Sequence, residues 1–156
     1  MPASYPGSVK SFTTKVDGVD DVQAAHVNDL QLEVAAVETD LLSGLVDYYA
    51  SSTIVGWSSL TTTILRYKKI GKLVLVQFRL IGTSNNANTS FTLPFSNALI
   101  LYGPTIIMDN GGALTFGSVL INSASNVVNC YTSAAGTGWT ASGEKRVQGS
   151  FLYVTG

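Results

Sequence analysis

The side chains most often used in nucleophilic and acid–base catalysis are scarce in this sequence of 156 residues. It contains one histidine, His26, and one cysteine, Cys130, far apart along the chain. Serine and cysteine nucleophiles are usually activated by a nearby histidine, and the sequence after residue 50 contains none. Cys130 stands in a strand-like run and can form no intrachain disulfide, so we expect a buried, inert thiol. No catalytic residue, metal site or cofactor is predicted.

Two carboxylates, Asp109 and Glu144, are the only acidic side chains after residue 50. A glycosidase needs two such groups facing each other about 5–10 Å apart. Asp109 opens an Asp-Asn-Gly-Gly sequence typical of a tight turn, and Glu144 precedes Lys145 and Arg146, so local pairing or solvation explains both acids. The sequence is therefore interpreted as non-enzymatic. A glycan hydrolase that combines acids from different subunits remains an alternative interpretation.

Binding chemistry is better represented than catalytic chemistry. Aromatic faces and amide groups are the usual means of holding sugars, and the candidate residues for such a ligand site are Tyr131, Trp139, Asn85 and Asn86. A tryptophan in a β-rich domain also commonly packs in the core or between subunits, and Trp57 and Trp139 are open to that interpretation. A free carbohydrate-binding module is a further alternative for the whole chain.

The segment 20–49 has the spacing of a coiled-coil helix. Apolar residues recur alternately three and four positions apart, which gives a seam of Val27, Leu30, Val34, Val37 and Leu41. Asp20 or Asp21 is predicted to cap the helix, and Asp20 makes a capping box with Gln23. A narrow seam of this kind predicts self-association. The branching of the seam residues mildly favours two strands and leaves the copy number open.

The flanks of the seam are acidic. Seven acidic and no basic residues occur between residues 20 and 47, so we expect modest repulsion between parallel copies instead of salt bridges. The seam is also short. The helix is therefore predicted to depend on contacts with its neighbours for stable association.

Residues 1–19 are predicted to form an extended segment, because prolines and glycines interrupt any period. Their apolar side chains are spaced to enter pockets on another protein, and the candidate attachment residues are Tyr5, Pro6, Val9 and Phe12. A terminus without a fixed structure is the alternative. Charge divides the chain near residue 50, with two basic and eight acidic residues before it and seven basic and two acidic residues after it.

The remainder of the chain is predicted to be mainly β. Residues 50–55 are interpreted as a linker and residues 56–156 as a β-sandwich or jelly-roll domain of roughly eight short strands. The clearest signal is the run 72–82, where Val74, Val76, Phe78 and Leu80 alternate with a mixed set of residues. That alternation predicts one strand face in the core. A hairpin is predicted at Ile70-Gly71 and a tight turn at 109–112.

Composition limits the partners. Charged residues make up only 12% of the chain, about half the usual share, and such a surface is better suited to burial between copies than to a free monomer. No dense basic stripe indicates nucleic-acid binding. No signal peptide and no apolar run of bilayer length is visible, so we expect a chain made in a cytoplasm without membrane insertion.

The N-terminal sequence resembles a module of bacteriophage fibre and tail-associated proteins. The matching residues are an arm, Tyr5-Pro6-Gly7-Ser8, and a helix of the form A-x-H-x-N-x-L-Q-x-x-x-x-A-x-E that runs from Ala24 to Glu38. The β part resembles small fibre head domains at residues 56–57, 67–72, 82–85, 91–94, 139–143 and 151–153. Together these matches cover most of the chain.

This resemblance implies a homotrimeric, structural component of a virion, assembled in the host cytoplasm. Its arm would insert into a capsid or tail protein, and its head would face outward for adhesion to the host surface, with a polysaccharide as the expected ligand. Long fibres contain a shaft that this sequence lacks. A head fibre and a tail-fibre tip are therefore both open.

Overall fold

A computed structural model describes residues 5, 7, 8, 10, 11, 14, 16 and 23–156. The chain divides into two compact units, Met1–Gly44 and Leu45–Gly156. Among the described residues, the first unit contains a helix and the second contains the strands. The boundary near residue 44 lies close to the change in charge along the sequence.

The helix α1 spans Ala24–Leu42. Its N-cap is Gln23, whose backbone N–H donates to Nδ1 of His26 at 3.1 Å. At the other end, the backbone N–H of Ser43 donates to the carbonyl of Thr39 at 3.0 Å. The predicted caps, Asp20 and Asp21, lie outside the described residues. The helix is shorter than the interval 20–49, because that interval also contains the first strand of the second unit.

The second unit is an antiparallel sheet of nine strands. The strands are β1 (Val46–Asp47), β2 (Ile54–Val55), β3 (Trp57–Ile70), β4 (Leu73–Ser84), β5 (Thr89–Thr92), β6 (Leu101–Met108), β7 (Thr115–Ile121), β8 (Val127–Tyr131) and β9 (Glu144–Val154). A short 3-10 helix, Tyr49–Ser51, follows β1. The order across the sheet is β1-β3-β4-β9-β6-β7-β8-β5-β2. A mainly β unit was predicted, and the structure confirms it.

The hairpin of β3 and β4 contains the predicted alternation. Val74, Val76, Phe78 and Leu80 are buried almost completely, whereas Leu73, Leu75, Gln77 and Arg79 are exposed. The turn between the strands lies at Gly71, which has a positive φ of 59°. Asn110 and Gly111 also have positive φ values, as the two central residues of a type I′ turn require, and the Gly112 N–H donates to the Asp109 carbonyl at 3.0 Å. The predicted core face and both predicted turns are therefore confirmed.

The backbone connects one edge of the sheet to a strand near the other edge. Strands β2 and β3 follow each other along the chain, separated only by Gly56, yet β2 is the last strand of the order and β3 is the second. Gly56 has a φ of +105°, and a Cβ there would lie 2.6 Å from the carbonyl oxygen of Asn88. The sheet therefore bends back on itself at a position that favours glycine.

The core lies between the two layers of this folded sheet. Phe78 on β4 contacts Phe91 on β5 with ring centroids 5.1 Å apart, although four strands separate β4 from β5 in the sheet order. The predicted sandwich thus corresponds to two layers of one continuous sheet, held together by apolar contacts. The jelly-roll connectivity stays a prediction.

Candidate functional site

The predicted seam lies on an exposed face of the helix. Val27, Leu30, Val34 and Leu41 are each between 47% and 54% exposed, and Val37 is partly buried. Exposure of four aliphatic side chains in one stripe is unfavourable for an isolated helix, because apolar surface remains in contact with water. Self-association through this seam stays a prediction. Burial of the exposed stripe would provide its driving force.

The acidic flank of the helix is covered by the N-terminal arm of the same chain. The Lys10 ammonium lies 3.4 Å from the Asp29 carboxylate and 3.5 Å from that of Glu33, and both acids are buried. The Tyr5 backbone N–H donates to Glu33 at 3.1 Å, and the Tyr5 hydroxyl donates to Asp40 at 2.9 Å. The hydrogen bond to Asp40 raises the pKa of Tyr5, with smaller effects from burial and the nearby charge.

These contacts change the interpretation of the arm. Tyr5 was predicted to attach the chain to another protein, and here its polar atoms are used within the first unit. Pro6, Val9 and Phe12, the other candidate attachment residues, lie outside the described residues. The role of the arm in attachment therefore stays a prediction. The predicted repulsion between copies was based on the seven acids of the helical segment alone. Lys10 precedes that segment in the sequence, so its positive charge did not enter the prediction.

A buried lysine organises one end of the β unit. Lys145 has no exposed surface, and its Nζ donates to the carbonyls of Gly56 and Asn86, both at 2.9 Å, and to Oγ1 of Thr89 at 2.7 Å. The same ammonium lies 5.1 Å from the ring centroids of both Trp57 and Trp139. Three donors on an ammonium match three oxygen acceptors, and the indole faces add a favourable contact with the cation.

Burial lowers the pKa of Lys145 to about 8, and electrostatic interactions with Asp109 and, to a smaller extent, Cys130 partly oppose that decrease. The side chain is therefore protonated at neutral pH. Nothing was predicted for Lys145 from the sequence beyond its place next to Glu144. Lys145 is buried because it shares the inward face of β9 with Val147.

The predicted ligand residues differ in their environments. Trp139 is only 4% exposed, and its Nε1 donates to the Cys130 carbonyl at 2.8 Å. This placement favours the packing interpretation of Trp139 over a ligand contact. Asn85 and Asn86 are exposed, but the Asn86 carbonyl accepts from Lys145, and the Asn85 backbone N–H donates to Gly56 at 3.2 Å. Their part in ligand binding stays a prediction.

Tyr131 lies on the outer surface of the sheet. It lines a shallow pocket of about 230 Å³ together with Tyr102, Ser118 and a loop at Ala134–Gly136. Its cross-strand partner is Ser118 on β7. A ligand role for Tyr131 also stays a prediction, and Tyr102, which is 75% exposed, adds a second aromatic face to the pocket.

The two acids considered for hydrolysis occupy a structural turn. Both carboxylate oxygens of Asp109 accept from the Thr140 backbone N–H, at 3.1 and 3.0 Å, and one of them also accepts from the Thr140 hydroxyl at 2.8 Å. The backbone carbonyl of Glu144 accepts from Gly111 at 2.9 Å, and the residue itself is exposed. These contacts connect two loops and give no observation in favour of glycosidase chemistry.

The cysteine thiol and possible metal ligands are the remaining groups with reactive or binding chemistry. Cys130 is a buried free thiol, and burial raises its pKa to about 12, with a smaller lowering effect from Lys145. Within the described ranges, no group of three or more histidine, cysteine, aspartate or glutamate side chains is arranged to hold a metal ion. No helix in the described part of the chain combines the length and apolarity needed to cross a membrane.

A groove on the outer surface was not predicted from the sequence. It has a volume of about 580 Å³ and lies where β6 separates from β9. These strands pair only at Ile106–Met108 and Arg146–Gln148. The next outward-facing residue of β6 is Pro104, which has no N–H to continue the ladder. The proline was the available sequence signal, since it marks where pairing within a sheet ends.

Comparison with known proteins gave one structural similarity. No protein-family model and no curated protein sequence matches the chain. Among solved structures, the head domain of lactococcal phage bIL170, described in connection with the receptor-binding domains of lactococcal phages, aligns with a TM-score of 0.44 and 13% identity. The alignment covers 72% of this chain and 97% of that domain. A similarity at this level establishes neither a shared family nor a shared ligand.

Proposed function

We propose that this chain is a structural protein of a bacteriophage particle, a homotrimeric fibre with an adhesive β head. The arm would attach the trimer to a capsid or tail protein, and the second unit would contact the host surface through a glycan. The observation that carries the proposal is the exposed seam beside an acidic flank that Lys10 of the same chain partly neutralises. The sequence resemblance to phage fibre proteins supports the same assignment.

The contacts of the helix explain why association is favourable. In the sequence alone, parallel copies would place Glu33 and Asp40 next to the contact and repel one another. Lys10 partly offsets the charge of Glu33, and Tyr5 donates hydrogen bonds to Glu33 and Asp40. Since the apolar stripe then remains the exposed part, a second copy is the partner whose seam has matching chemistry.

Self-association is tested by light scattering on the full chain after size-exclusion chromatography. We expect a mass of about 50 kDa, because three chains of 16.5 kDa associate. Leu30→Asp should lower the stability of the oligomer by a few kcal/mol, since it buries a carboxylate at each seam contact. Leu32→Asp is the matched control, because Leu32 is equally exposed but lies on the opposite face of the helix.

The outcomes separate the seam from general effects on the helix. A parent chain that is a stable monomer would refute the fibre proposal. If Leu30→Asp and Leu32→Asp lower the stability of the oligomer equally, the cause is a loss of helical stability. The seam would then not be the contact between copies. A dimeric mass would keep the seam and refute the trimer.

The role of Lys10 has its own test. Lys10→Gln removes the positive charge from Asp29 and Glu33 while keeping a polar side chain of similar length. We expect the variant oligomer to be less stable at low salt and to recover as salt rises, because screening reduces repulsion between the acids. Lys72→Gln, which removes a charge from an exposed turn in the second unit, should show no such salt dependence.

Location and adhesion require the particle. Gold-labelled antibody against the β unit should decorate intact virions at their capsid or tail, and purified trimer should adhere to host cells. Absence of the protein from purified virions would refute the structural role. Failure of the trimer to adhere would refute the adhesive role and leave the structural role standing.

A further inference from the structure

One row of side chains crosses five strands along the groove beside Pro104. In cross-strand register, the row consists of Ile64 on β3, Arg79 on β4, Gln148 on β9, Ile106 on β6 and Phe116 on β7. All five line the groove. At about 4.8 Å between adjacent strands, the row extends roughly 19 Å. Its centre is polar and its two ends are apolar.

The polar centre is rich in hydrogen-bond donors. Arg146 donates to Oε1 of Gln148 from Nε at 3.1 Å and from Nη2 at 2.6 Å. The Gln148 amide oxygen is thus occupied, and its NH2 group remains to donate elsewhere. Arg79 provides a guanidinium whose side chain is exposed, and Gln77 and Ser150 form the adjacent cross-strand pair.

The lining contains a positive charge and, among the described residues around it, no carboxylate. A guanidinium beside amide donors favours a ligand that carries acceptors and negative charge. The apolar end offers Phe116, which is 78% exposed and presents a ring face of the kind on which sugar rings pack. The volume also lies within the range of small-molecule sites.

From this arrangement we infer that the groove binds an anionic saccharide, one that carries a carboxylate or a phosphate. This inference rests on the adhesive function proposed above and specifies its ligand class and position. Arg79 pairs with the anionic group, Gln148 donates to a hydroxyl or acid oxygen, and Phe116 packs against a sugar ring. The site differs from the predicted residues at Tyr131, Trp139, Asn85 and Asn86.

The test uses the full chain and two anionic probes, trigalacturonic acid and glucose 1-phosphate, with galactotriose as the neutral comparison. Binding is measured by calorimetry, and the site by changes in the amide NMR signals of Gly149 and Ser150, which line the groove. Arg79→Gln should weaken binding of an anionic probe by roughly tenfold or more. Lys72→Gln removes the same charge at a distant turn and should change the affinity less than about twofold.

Three results would overturn the inference. They are failure of the parent chain to bind either anionic probe at millimolar concentration, equal affinity for galactotriose, and an unchanged affinity in Arg79→Gln. Light scattering of each variant establishes that the oligomer is intact, so that lost binding is not lost assembly. Adhesion to host cells is measured in parallel: if the parent and Arg79→Gln adhere equally, the groove assignment fails while the proposed adhesive function stands.

Discussion

Lys145 offers a quantitative test of how the second unit is held together. The substitution Lys145→Met keeps an unbranched chain of similar length in the core and removes only the ammonium. Three oxygens then lose their donor, those of Gly56, Asn86 and Thr89. The first two are backbone carbonyls, which cannot turn toward another partner as a side chain can.

The expected loss follows from these contacts. Each buried carbonyl left without a donor costs about 1–3 kcal/mol. Losing the cation contacts with Trp57 and Trp139 costs about 1 kcal/mol each. Methionine also removes the cost of burying a charge, which offsets part of the loss. We therefore expect Lys145→Met to lower the free energy of unfolding by about 3 kcal/mol, within a range of about 2–5 kcal/mol.

Urea denaturation at equal protein concentration, followed by tryptophan fluorescence, measures this difference. Lys72→Met is the control, because Lys72 lies in an exposed turn and its substitution should change stability by less than about 0.5 kcal/mol. If Lys145→Met unfolds within about 0.5 kcal/mol of the parent, the three hydrogen bonds contribute no net stability. The buried ammonium would then not be what stabilises this end of the sheet.

The pH dependence of the same pair of proteins gives a second measurement. Because the pKa of Lys145 is about 8 in the folded chain and about 10.4 when unfolded, the unfolded state binds more protons between those values. Stability from this group therefore rises with pH across that interval. Lys145→Met lacks the contribution, so the stability difference between parent and variant should grow from pH 8 to pH 10. A constant or shrinking difference would contradict the lowered pKa.

Three further predictions concern side chains of the second unit. Cys130 should resist alkylation in the folded chain, since raising its pKa from 9.0 to about 12 lowers the thiolate fraction at pH 8 roughly a thousandfold; iodoacetamide labelling at the rate of a free thiol would contradict this. Thr105→Val should leave the urea midpoint unchanged or raise it, because the buried Thr105 hydroxyl has no hydrogen-bond partner among the described residues; a loss above about 1 kcal/mol would reveal a hidden partner. Asp109→Ala should cost about 1–2 kcal/mol by removing the acceptor of Thr140, whereas Glu144→Ala, at an exposed side chain, should cost less than about 0.5 kcal/mol; equal urea midpoints for these two variants would refute the turn contact.

The fold was predictable where a local pattern decided it. Along β4, alternate residues differ sharply in polarity, and only one register places Val74, Val76 and Phe78 in the core. The turns at Gly71 and at Asn110-Gly111 were predictable for a similar reason, because positive φ values favour glycine and asparagine. These features depend on neighbours a few residues away.

The position of Lys145 was not predictable from local pattern, because its partners are distant in the chain. The acceptors at Gly56, Asn86 and Thr89 lie 89, 59 and 56 residues away. In the sequence alone, the three consecutive charged residues Glu144, Lys145 and Arg146 are typical of a solvated turn. The loops that provide the acceptors of Lys145 are brought near it only by the fold. The available signal was the alternation of β9, in which Lys145 shares a face with Val147.

The groove was missed for a related reason. Its row combines residues from five strands, and none of Ile64, Arg79, Gln148, Ile106 or Phe116 is unusual in its own sequence context. Their proximity follows from register, and register is fixed by the folding of the whole sheet. Sequence reasoning selected aromatic residues by type instead, and one of them, Trp139, lies in the core.

The charges beside the seam affect how favourable the proposed association of the helix would be. Without the arm, the acidic flank would repel the helix of a parallel copy. The apolar contacts of the seam would have to overcome that repulsion. With Lys10 lying within 3.5 Å of both Asp29 and Glu33, the compensating charge belongs to the same chain as the acids. Each copy that joins the proposed trimer then brings one positive charge for these two acids, which reduces the repulsion between copies. If the proposed association occurs through the seam, the arm contributes to it by reducing the repulsion that the apolar contacts must overcome, and the Lys10→Gln variant tests that contribution.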